Sequence, residues 1–533
     1  MQSLKAKAGI ISFVACFTLF FLILFFGSPI YNSGDDVYLL YLLDGGFGGG
    51  PTNLLHYSSG LHPWLGWVIK TLFTMVPGVN WYSVLLYLLH FISCWILLRI
   101  LFSANRLYIA AGIFGIVFFV FEAQFLLNLT FTNTALITGM SGIILLLRET
   151  AVNSVKGKTV AISILLIVVS AMLRLHTLIP LAAISFPLIA FRVLQKRFML
   201  LYFICLTVLA IFLLEYYQQQ YYESKIPGWE TEESYRNSAF SYYNSPKTEG
   251  SMKLVTEINF LNHGLFWDKQ FLSAAKIQQV KRETESGPFI NAKNSKNYLY
   301  WLFVNNRIFW LSLLIVFIIC SPRSNRPGKI LNILSLAVML LVLIWPSLFK
   351  KLPFYLIPSL ILFYILLITC VPEINNSATA AFYNMNKWVS ILLFTGLVCW
   401  GSIRIEKAFP VNKEKNALFV CSWKELNMYP DKLFVVTDDR FPMDYFSVWD
   451  QPAKFPINNL LYKDQMINNT YGPVYKRFFI ATAKDFANNP NIIFTGENNS
   501  EIRNYYLKVW GITLHTLEED KSFHCIEARR FRF

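Results

Sequence analysis

The sequence predicts an all-α polytopic membrane domain of about eleven transmembrane helices, followed by a small C-terminal extracytoplasmic α/β domain. Of its 533 residues, 55% are hydrophobic and only 15% are charged, and the mean hydropathy is +0.44. A soluble globular domain usually carries about a quarter charged residues, so this composition excludes an ordinary soluble enzyme. Apolar runs long enough to cross a bilayer recur along the chain, and Lys and Arg gather in alternate connections between them.

The basic residues bear on membrane topology rather than on nucleic acid. The chain has 47 Lys and Arg against 32 Asp and Glu, which gives a formal net charge of +15. Basic residues accumulate on the cytoplasmic loops of membrane proteins, and here they lie between apolar runs. We therefore predict the lipid bilayer as a partner and no nucleic acid.

Eleven apolar runs are predicted to span the membrane: Ile10–Gly27, Trp81–Phe102, Leu107–Leu127, Phe131–Leu147, Val160–Leu173, Thr177–Phe191, Met199–Leu214, Tyr300–Cys320, Leu331–Phe349, Phe354–Val371 and Trp388–Ile403. Lys5 and Lys7 precede the first run, so it starts inside. Four of the five connections then assigned to the cytoplasm carry basic residues, whereas the fifth offers only Lys387. The fifth and sixth runs are short, so their shared break is expected to lie partly within the membrane.

Two apolar segments near the N-terminus need separate interpretation. The first run is longer than the about 7 to 15 apolar residues of a signal peptide, and no small-x-small cleavage site follows it, so we expect a retained anchor rather than a cleaved signal. Pro63–Val76 is too short to span and is flanked by Gly and Pro. It predicts a helix that lies along the outer membrane surface.

Three polar regions then fall on the extracytoplasmic side: the loop 28–80, the loop 215–299 and the tail 404–533. The predicted domain boundary therefore separates residues 1–403 from residues 404–533. Short apolar runs in the tail predict strands at Ala417–Cys421, Leu433–Thr437 and Asn491–Thr495.

Cysteine and glycine patterns exclude two kinds of site. Six cysteines lie in predicted spans, where Cys acts as a small apolar residue, and no Cys/His spacing typical of zinc occurs. The glycines between Gly45 and Gly50 do not join a strand to a helix, so they indicate a turn rather than a nucleotide loop. Cys421 and Cys525 lie in the outer tail, where the alternatives are a disulfide and two free thiols.

Ionisable residues near the outer ends of the spans are the candidate functional groups, because charges in a membrane are costly and mark functional cavities. They are Glu122, Arg174, His176, Glu215, Arg307, Lys350 and Lys351. The alternative is that each side chain snorkels separately to the membrane interface.

An acidic pair follows the first span directly. Asp35 and Asp36 stand in the segment Tyr31-Asn-Ser-Gly-Asp-Asp-Val-Tyr38, a few residues beyond the membrane surface. Adjacent carboxylates repel one another, so one is expected to have a raised pKa and serve as a base, while the other holds a cation or a sugar hydroxyl. The alternative is a solvated acidic loop.

Three features resemble the polytopic glycosyltransferases of the GT-C superfamily. They are this acidic pair, the amphipathic stretch Val37–Leu43, and Leu61-His-Pro-Trp-Leu65, which opens a second surface helix. Protein O-mannosyltransferases and the aminoarabinose transferases of lipid A belong to that superfamily. Leu348-Phe-Lys-Lys-Leu-Pro-Phe-Tyr355 matches more loosely. Where several relatives have His-Pro-Pro, this chain has His62-Pro63-Trp64.

The resemblance implies a sugar donor carried on a polyprenyl phosphate. It implies that Asp35 is the base that accepts the proton of the acceptor hydroxyl. It implies that Asp36 either orients this base or binds a divalent cation, Mg or Mn. The leaving phosphate would be stabilised by Arg174, Arg307, Lys350 and Lys351. The sugar or acceptor contacts would be His62, His176, Glu122 and Glu215, with a structural hydrogen-bonding role as the alternative for both histidines.

Within the superfamily, two outer loops and an outer C-terminal domain are similar to the serotype-converting glucosyltransferases that decorate the O-antigen of bacterial lipopolysaccharide. This implies a cell-envelope enzyme in the bacterial cytoplasmic membrane, with its active site and tail on the periplasmic face. A lipid A or protein acceptor stays open. The competing functions are a flippase or transporter of lipid-linked glycan and an O-antigen ligase or polymerase. A transporter usually binds at the midplane between structural repeats, and the sequence shows neither midplane charges nor repeats.

Overall fold

The computed structural model of the protein describes residues 2–55, 60–104, 107–151, 155–196, 198–243, 254–262, 267–284, 300–320, 326–349, 356–371, 387–436, 441–462, 472–495 and 499–514. These residues are mostly helical. Seven of the described helical segments are long and apolar enough to cross a membrane, and Arg307–Phe317 and Leu356–Cys370 are shorter apolar helices. The chain is therefore a multi-pass α-helical membrane protein, as the composition predicts.

Each predicted span corresponds to helix. In chain order, the structure has α1 (Gln2–Phe26), α4 (Trp81–Ala104), α5 (Leu107–Gly115) continued by the π-helical segment Ile116–Glu122 and α6 (Ala123–Leu127), α7 (Phe131–Glu149), α8 (Gly157–Arg174), α9 (Leu178–Leu194), α10 (Phe198–Lys225), and the helices Arg307–Cys320, Arg326–Phe349, Leu356–Cys370 and Lys387–Asn427. The expected break between the fifth and sixth spans is the 3₁₀ turn Leu175–Thr177. The apolar length needed to cross a bilayer is a local property of sequence, which is why these runs are visible without a structure.

The helix ends alternate between two sides. On one side, Asp36 contacts Tyr82 at the start of α4 and Phe131 at the start of α7. At the opposite ends of these helices, Arg148 donates to the Ile100 carbonyl (2.9 Å) and Arg192 donates to Thr150 (2.8 Å). Arg148 and Arg192 belong to connections assigned to the cytoplasm, so the helix geometry agrees with the order of sides predicted from charge.

The first outer loop forms two short helices, α2 (Gly34–Asp44) and α3 (Pro63–Met75). In α3, Ile69 and Phe73 are buried while Trp64 and Trp67 are about half-exposed, as a helix lying on a membrane requires. The amphipathic pattern expected for Val37–Leu43 is wrong, because every residue of this stretch is buried. Tail residues such as Phe446 and Phe455 cover the face of α2 that would otherwise meet water.

The helix Lys387–Asn427, here called the long helix, corrects one expectation about the tail. It includes Ala417–Cys421, where a strand is predicted, because a run of five apolar residues does not distinguish a strand from a buried helical segment. It also continues without a break through residues 403 and 404, where the domain boundary is predicted. The last membrane span and the start of the outer tail are therefore one helix.

The rest of the tail holds a parallel three-stranded sheet in which Leu433–Val436 is the central strand, between Leu460–Tyr462 and Ile492–Thr495. Strands β3 (Leu433–Val436) and β5 (Ile492–Thr495) confirm two predictions, and β4 (Leu460–Tyr462) has no sequence counterpart. Phe434 pairs with both Leu460 and Ile493. The surrounding helices are Gly472–Arg477, Ala483–Asn488 and Asn499–Tyr505.

The second outer loop packs against this tail. Its described helices are α11 (Trp229–Tyr243), α12 (Val255–Asn262) and α13 (Ala274–Thr284). Asp268, which is buried between them, accepts hydrogen bonds from the Tyr505 hydroxyl and the Trp510 indole, both at 2.8 Å. The loop 215–299 and the tail therefore pack against each other through Asp268.

The cysteines divide as the sequence suggests. Cys16, Cys94, Cys205, Cys370 and Cys399 carry free thiols. Cys421 is disulfide-bonded, whereas its predicted partner, Cys525, lies outside the described residues. The pairing of these two cysteines stays a prediction.

Candidate functional site

The acidic pair lies in the first turn of α2. Ser33 caps this helix in extended conformation, and its hydroxyl accepts the Asp35 N–H at 3.2 Å. Side chains at the start of a helix lie near the positive end of its dipole, which favours carboxylates. Successive helical residues point about 100° apart, so Asp35 is half-exposed while Asp36 is fully buried.

Asp36 ties together three segments that are distant in sequence. Its Oδ1 accepts hydrogen bonds from the Tyr82 hydroxyl and from the Phe131 N–H, both at 2.8 Å. Its Oδ2 is buried and has no hydrogen-bond partner in the described part of the chain. Asp36 therefore positions the start of α2 against α4 and α7, and it is too enclosed to contact a substrate directly.

The environment separates the two carboxyl groups. Burial raises the pKa of Asp36 to about 8, against the opposing effects of its hydrogen bonds with Phe131 and Tyr82, and the neighbouring Asp35 raises it further while Arg174 lowers it. At neutral pH the buried carboxyl group is largely protonated, which relieves the repulsion expected of an acidic pair. The accessible member is Asp35.

Arg174 is the predicted cation that the structure brings to this acidic pair. Its guanidinium donates to the Thr132 hydroxyl and lies 5.1 Å from the centre of the Phe131 ring. Because Phe131 also binds Asp36, the start of α7 holds the carboxyl group and the arginine together. Tyr82, Phe131 and Thr132 are the positioning residues that the sequence did not reveal.

The other predicted phosphate ligands are not brought to this cluster by any described contact. Arg307 is exposed at the start of the helix Arg307–Cys320. Lys350 and Lys351 lie outside the described residues. His176, a predicted sugar contact, is exposed in the turn after Arg174.

His62 has a structural role, the alternative that the sequence left open. It caps α3 by accepting the Trp64 N–H at Nδ1 (3.2 Å), and its Nε2 lies 3.0 Å from the Leu214 carbonyl within α10. Its own N–H donates to the Met172 carbonyl of α8 (2.7 Å). Both ring nitrogens are engaged by the chain, and burial lowers the pKa of His62.

Glu122 is part of a buried pair rather than an exposed outer contact. Its Oε1 lies 2.6 Å from His90 Nδ1, and both side chains are fully buried. His90 lies within the predicted span Trp81–Phe102, so an intramembrane histidine was the signal that could have located the pair. The predicted role of Glu122 in sugar binding has no support in this arrangement.

Glu215, the last predicted contact, lines an open cavity of about 1010 Å³. The end of α10, α11 and α13 form its walls. Most of the residues that line it carry carboxylate, amide or hydroxyl groups. The structure therefore places Glu215 where it contacts solvent or a polar ligand.

An apolar groove of about 480 Å³ lies between α1, the π-helical segment and the long helix, and includes Phe26 and Phe118 in its lining. A smaller cavity of about 110 Å³ shares Phe119 and Ile405 with this groove and is also lined by Arg404. Sequence reasoning placed Arg404 at the start of the tail and assigned it no role. Its position directly after an apolar run was the available signal.

The site does not fit a resident divalent cation. Among the described residues, no group of three or more His, Cys, Asp or Glu side chains comes together. Asp36 presents one oxygen, Oδ2, that no described group already binds, and this atom is fully buried.

Fold and site together define a polytopic α-helical membrane protein in which an acidic pair lies within electrostatic reach of an arginine, where several helices end on one side. No family model and no curated protein matches the chain. A solved structure of ArnT from Cupriavidus metallidurans bound to undecaprenyl phosphate is similar to 98% of this chain and 88% of that chain, with a TM-score of 0.41 and 11% sequence identity.

Proposed function

We propose that this chain is a membrane glycosyltransferase of the GT-C type. It moves a sugar from a polyprenyl-phosphate donor to a hydroxyl group of a cell-surface glycan, the O-antigen or a related polymer, on the extracytoplasmic face. The observation that carries the proposal is the placement of half-exposed Asp35 beside a buried carboxyl group that is itself within electrostatic reach of Arg174. This arrangement offers a proton acceptor and a phosphate-binding cation at the membrane surface.

In the proposed reaction, Asp35 accepts the proton of the acceptor hydroxyl as its oxygen attacks the anomeric carbon. The bond between that carbon and the phosphate oxygen breaks, and the polyprenyl phosphate leaves with its electron pair. Arg174 stabilises the growing charge on this phosphate, because its guanidinium is held in place by Thr132 before the reaction begins. Direct displacement inverts the anomeric configuration, as the resemblance to the superfamily implies.

Asp36 acts through its neighbours in this mechanism. Its hydrogen bonds with Tyr82 and Phe131 fix the start of α2, and with it the direction of the Asp35 side chain. We assign Asp36 a positioning role, since a fully buried group cannot contact the acceptor.

The apolar groove beside α1 supports a lipid-linked donor. It is lined by side chains that suit a hydrocarbon chain, and its outer end includes Phe26, four residues before the strand β1 (Ile30–Tyr31) that leads to Asp35. Strand β1 pairs with β2 (Asn128–Leu129), which ends two residues before Phe131. A lipid chain in this groove would therefore bring its head group towards the segment that carries the acidic pair.

The reaction is tested with purified protein in liposomes that contain a polyprenyl-phosphate sugar and an acceptor glycan. Release of polyprenyl phosphate and formation of product are measured together. Asp35→Asn should lower transfer about 10² to 10⁴-fold. The control is Asp431→Asn, which changes an exposed aspartate of the tail and should leave transfer unchanged. Full activity of Asp35→Asn would refute the assignment of the base.

The phosphate site is tested by replacing the candidate cations one at a time. Arg174→Ala should lower turnover by roughly a hundredfold, because one preorganised charge partner is worth about 3 kcal/mol. Arg404→Ala, in the small cavity that adjoins the groove, and Arg307→Ala provide the comparison. Lys407→Ala is a control on the exposed face of the long helix. If Arg404→Ala abolishes turnover and Arg174→Ala does not, the leaving phosphate binds at the groove instead.

A further inference from the structure

The cavity beside Glu215 has the chemistry of a saccharide site. Its volume of about 1010 Å³ is at the upper end of the about 300 to 1,000 Å³ typical of ligand pockets. Gln219 and Asn237 line it from α10 and α11, and Gln278 lines it from α13. Amides and carboxylates offer both donors and acceptors to hydroxyl groups, so this lining suits a polyhydroxylated ligand.

An aromatic stack gives this cavity a rigid wall. The Tyr222 and Trp229 rings are stacked with their centres 4.4 Å apart, and the Arg236 guanidinium lies 4.9 Å from the Trp229 ring centre. Tyr222 and Trp229 are buried, so the stack does not need a ligand to hold it. The exposed ring of Tyr216 lies on the same wall.

The charges of the lining disfavour a phosphorylated ligand. Glu233 is paired with Arg236, which leaves Glu215, Glu223 and Glu230 against Lys281 and Arg282. Lys281 in turn donates to the Ser241 hydroxyl at 2.8 Å. The carboxylates therefore outnumber the cations that face the cavity, although the chain as a whole carries +15.

His62 links this cavity to the proposed reaction site. Its ring binds the carbonyl of Leu214, the residue before Glu215, and its N–H binds the carbonyl of Met172, two residues before Arg174. One buried histidine therefore fixes both the cavity end of α10 and the end of α8 that carries the arginine.

We propose that this cavity binds the acceptor, and that the acceptor is a saccharide without phosphate groups. The role of the bound saccharide as acceptor rests on the proposed function, but binding of the saccharide is tested without a sugar donor. Lipid A, whose phosphates would meet the carboxylate majority, is the disfavoured class.

Binding is measured by saturation-transfer NMR with the full chain in lipid nanodiscs. The probes are neutral hexasaccharides of glucose, galactose, mannose and rhamnose, and a hexamer of galacturonic acid as the anionic probe. At least one neutral probe should bind. The anionic probe should bind at least about threefold more weakly than that neutral probe, because repulsion between like charges several ångströms apart weakens binding by about this factor in water. Failure of every neutral probe, or equal binding of the anionic one, would overturn the proposal.

Gln219 and Gln220 offer a matched pair of variants. Both amides donate to Glu223, at 2.8 and 3.1 Å, and only Gln219 lines the cavity. Gln219→Ala should weaken binding about fivefold, the worth of one hydrogen bond, while Gln220→Ala should not change it. Asn237→Ala, on α11, should weaken binding similarly, and equal binding by all three variants would place the saccharide elsewhere.

Failure of this inference is distinguishable from failure of the proposed reaction. If Asp35→Asn and wild type bind the saccharide equally and neither transfers sugar, the reaction is wrong and the binding site stands. If wild type transfers sugar and Gln219→Ala leaves the KM for the acceptor unchanged, the reaction stands and this site is overturned.

Discussion

Asp36 gives the sharpest test of how the site is built. Asp36→Ala removes the acceptor of two buried hydrogen bonds, from the Tyr82 hydroxyl and the Phe131 N–H. Each donor left unpaired costs about 1 to 3 kcal/mol, so the free energy of unfolding should fall by about 2 to 6 kcal/mol. Asp36→Asn keeps an oxygen that accepts both bonds, and should cost far less.

The same residue predicts a dependence of stability on pH. The pKa of Asp36 is raised from 3.8 to about 8 in the folded protein, so the folded state holds a proton that the unfolded state has released. This contribution to stability is fully present below about pH 4 and is lost as the pH rises through about 8. Between these limits the loss is about 1.4 kcal/mol per pH unit. Asp36→Asn has no such proton, so its stability relative to wild type should rise as the pH is raised from 5 to 7.

The assay is thermal unfolding of wild type, Asp36→Asn and Asp36→Ala in the same detergent at pH 5, 6 and 7. Burial also raises the pKa values of Asp44 and Asp450, but both residues are present in all three proteins, and their contributions cancel in the differences. A constant difference between wild type and Asp36→Asn from pH 5 to 7 would refute the raised pKa. Equal midpoints for Asp36→Ala and Asp36→Asn would refute the role of the two hydrogen bonds.

Three further predictions concern stability. His90→Leu or Glu122→Leu alone should lower the free energy of unfolding by about 3 to 5 kcal/mol, because each substitution leaves its buried polar partner unpaired. The double variant should recover much of that stability, as measured by thermal unfolding. Gly45→Ala should lower the unfolding midpoint more than Gly50→Ala. Both glycines have positive φ, but an added Cβ at Gly45 meets the Gly50 backbone at 2.6 Å, whereas the space at Gly50 is open. Non-reducing peptide mapping should join Cys421 to Cys525, and Cys421→Ser should cost about 2 to 4 kcal/mol; two free thiols would contradict the pairing.

The parts of this fold that sequence predicts are those set by local chemistry. An apolar run of spanning length and a short amphipathic run such as Pro63–Val76 carry their own signal, and the structure has helices at these places. The strand predicted at Ala417–Cys421 is wrong because five apolar residues fit a strand and a helix equally well. Within this run, Phe419 packs against the rings of Phe441, Phe446 and Phe455, and no local pattern records these contacts.

The candidate site shows the same division. The sequence predicts an acidic pair just outside the membrane, but it does not tell which carboxyl group is buried. That depends on Tyr82 and Phe131, which lie 46 and 95 residues away from Asp36. The pairing of Glu122 with His90 across 32 residues is hidden for the same reason. Residue type and spacing identify candidate polar groups. Which of these groups contact one another depends on the packing of segments that are distant in sequence.

The outer tail is part of the site rather than an addition to it. Residues 36–43 of α2 are buried on every side, and water would otherwise reach the face that the tail covers. The Tyr41 hydroxyl donates to the Phe455 carbonyl at 2.8 Å, and Asp44 accepts the Ala453 N–H at 2.8 Å. Asn80, next to α4, donates to the carbonyls of Val448 and Asp450. The tail therefore contacts the C-terminal end of α2 and the start of α4, and the Phe446 carbonyl accepts the Tyr31 N–H just before α2 at 3.2 Å. Because these contacts surround the segment that carries Asp35, a chain ending after the last span would keep the acidic pair without the structure that orients it.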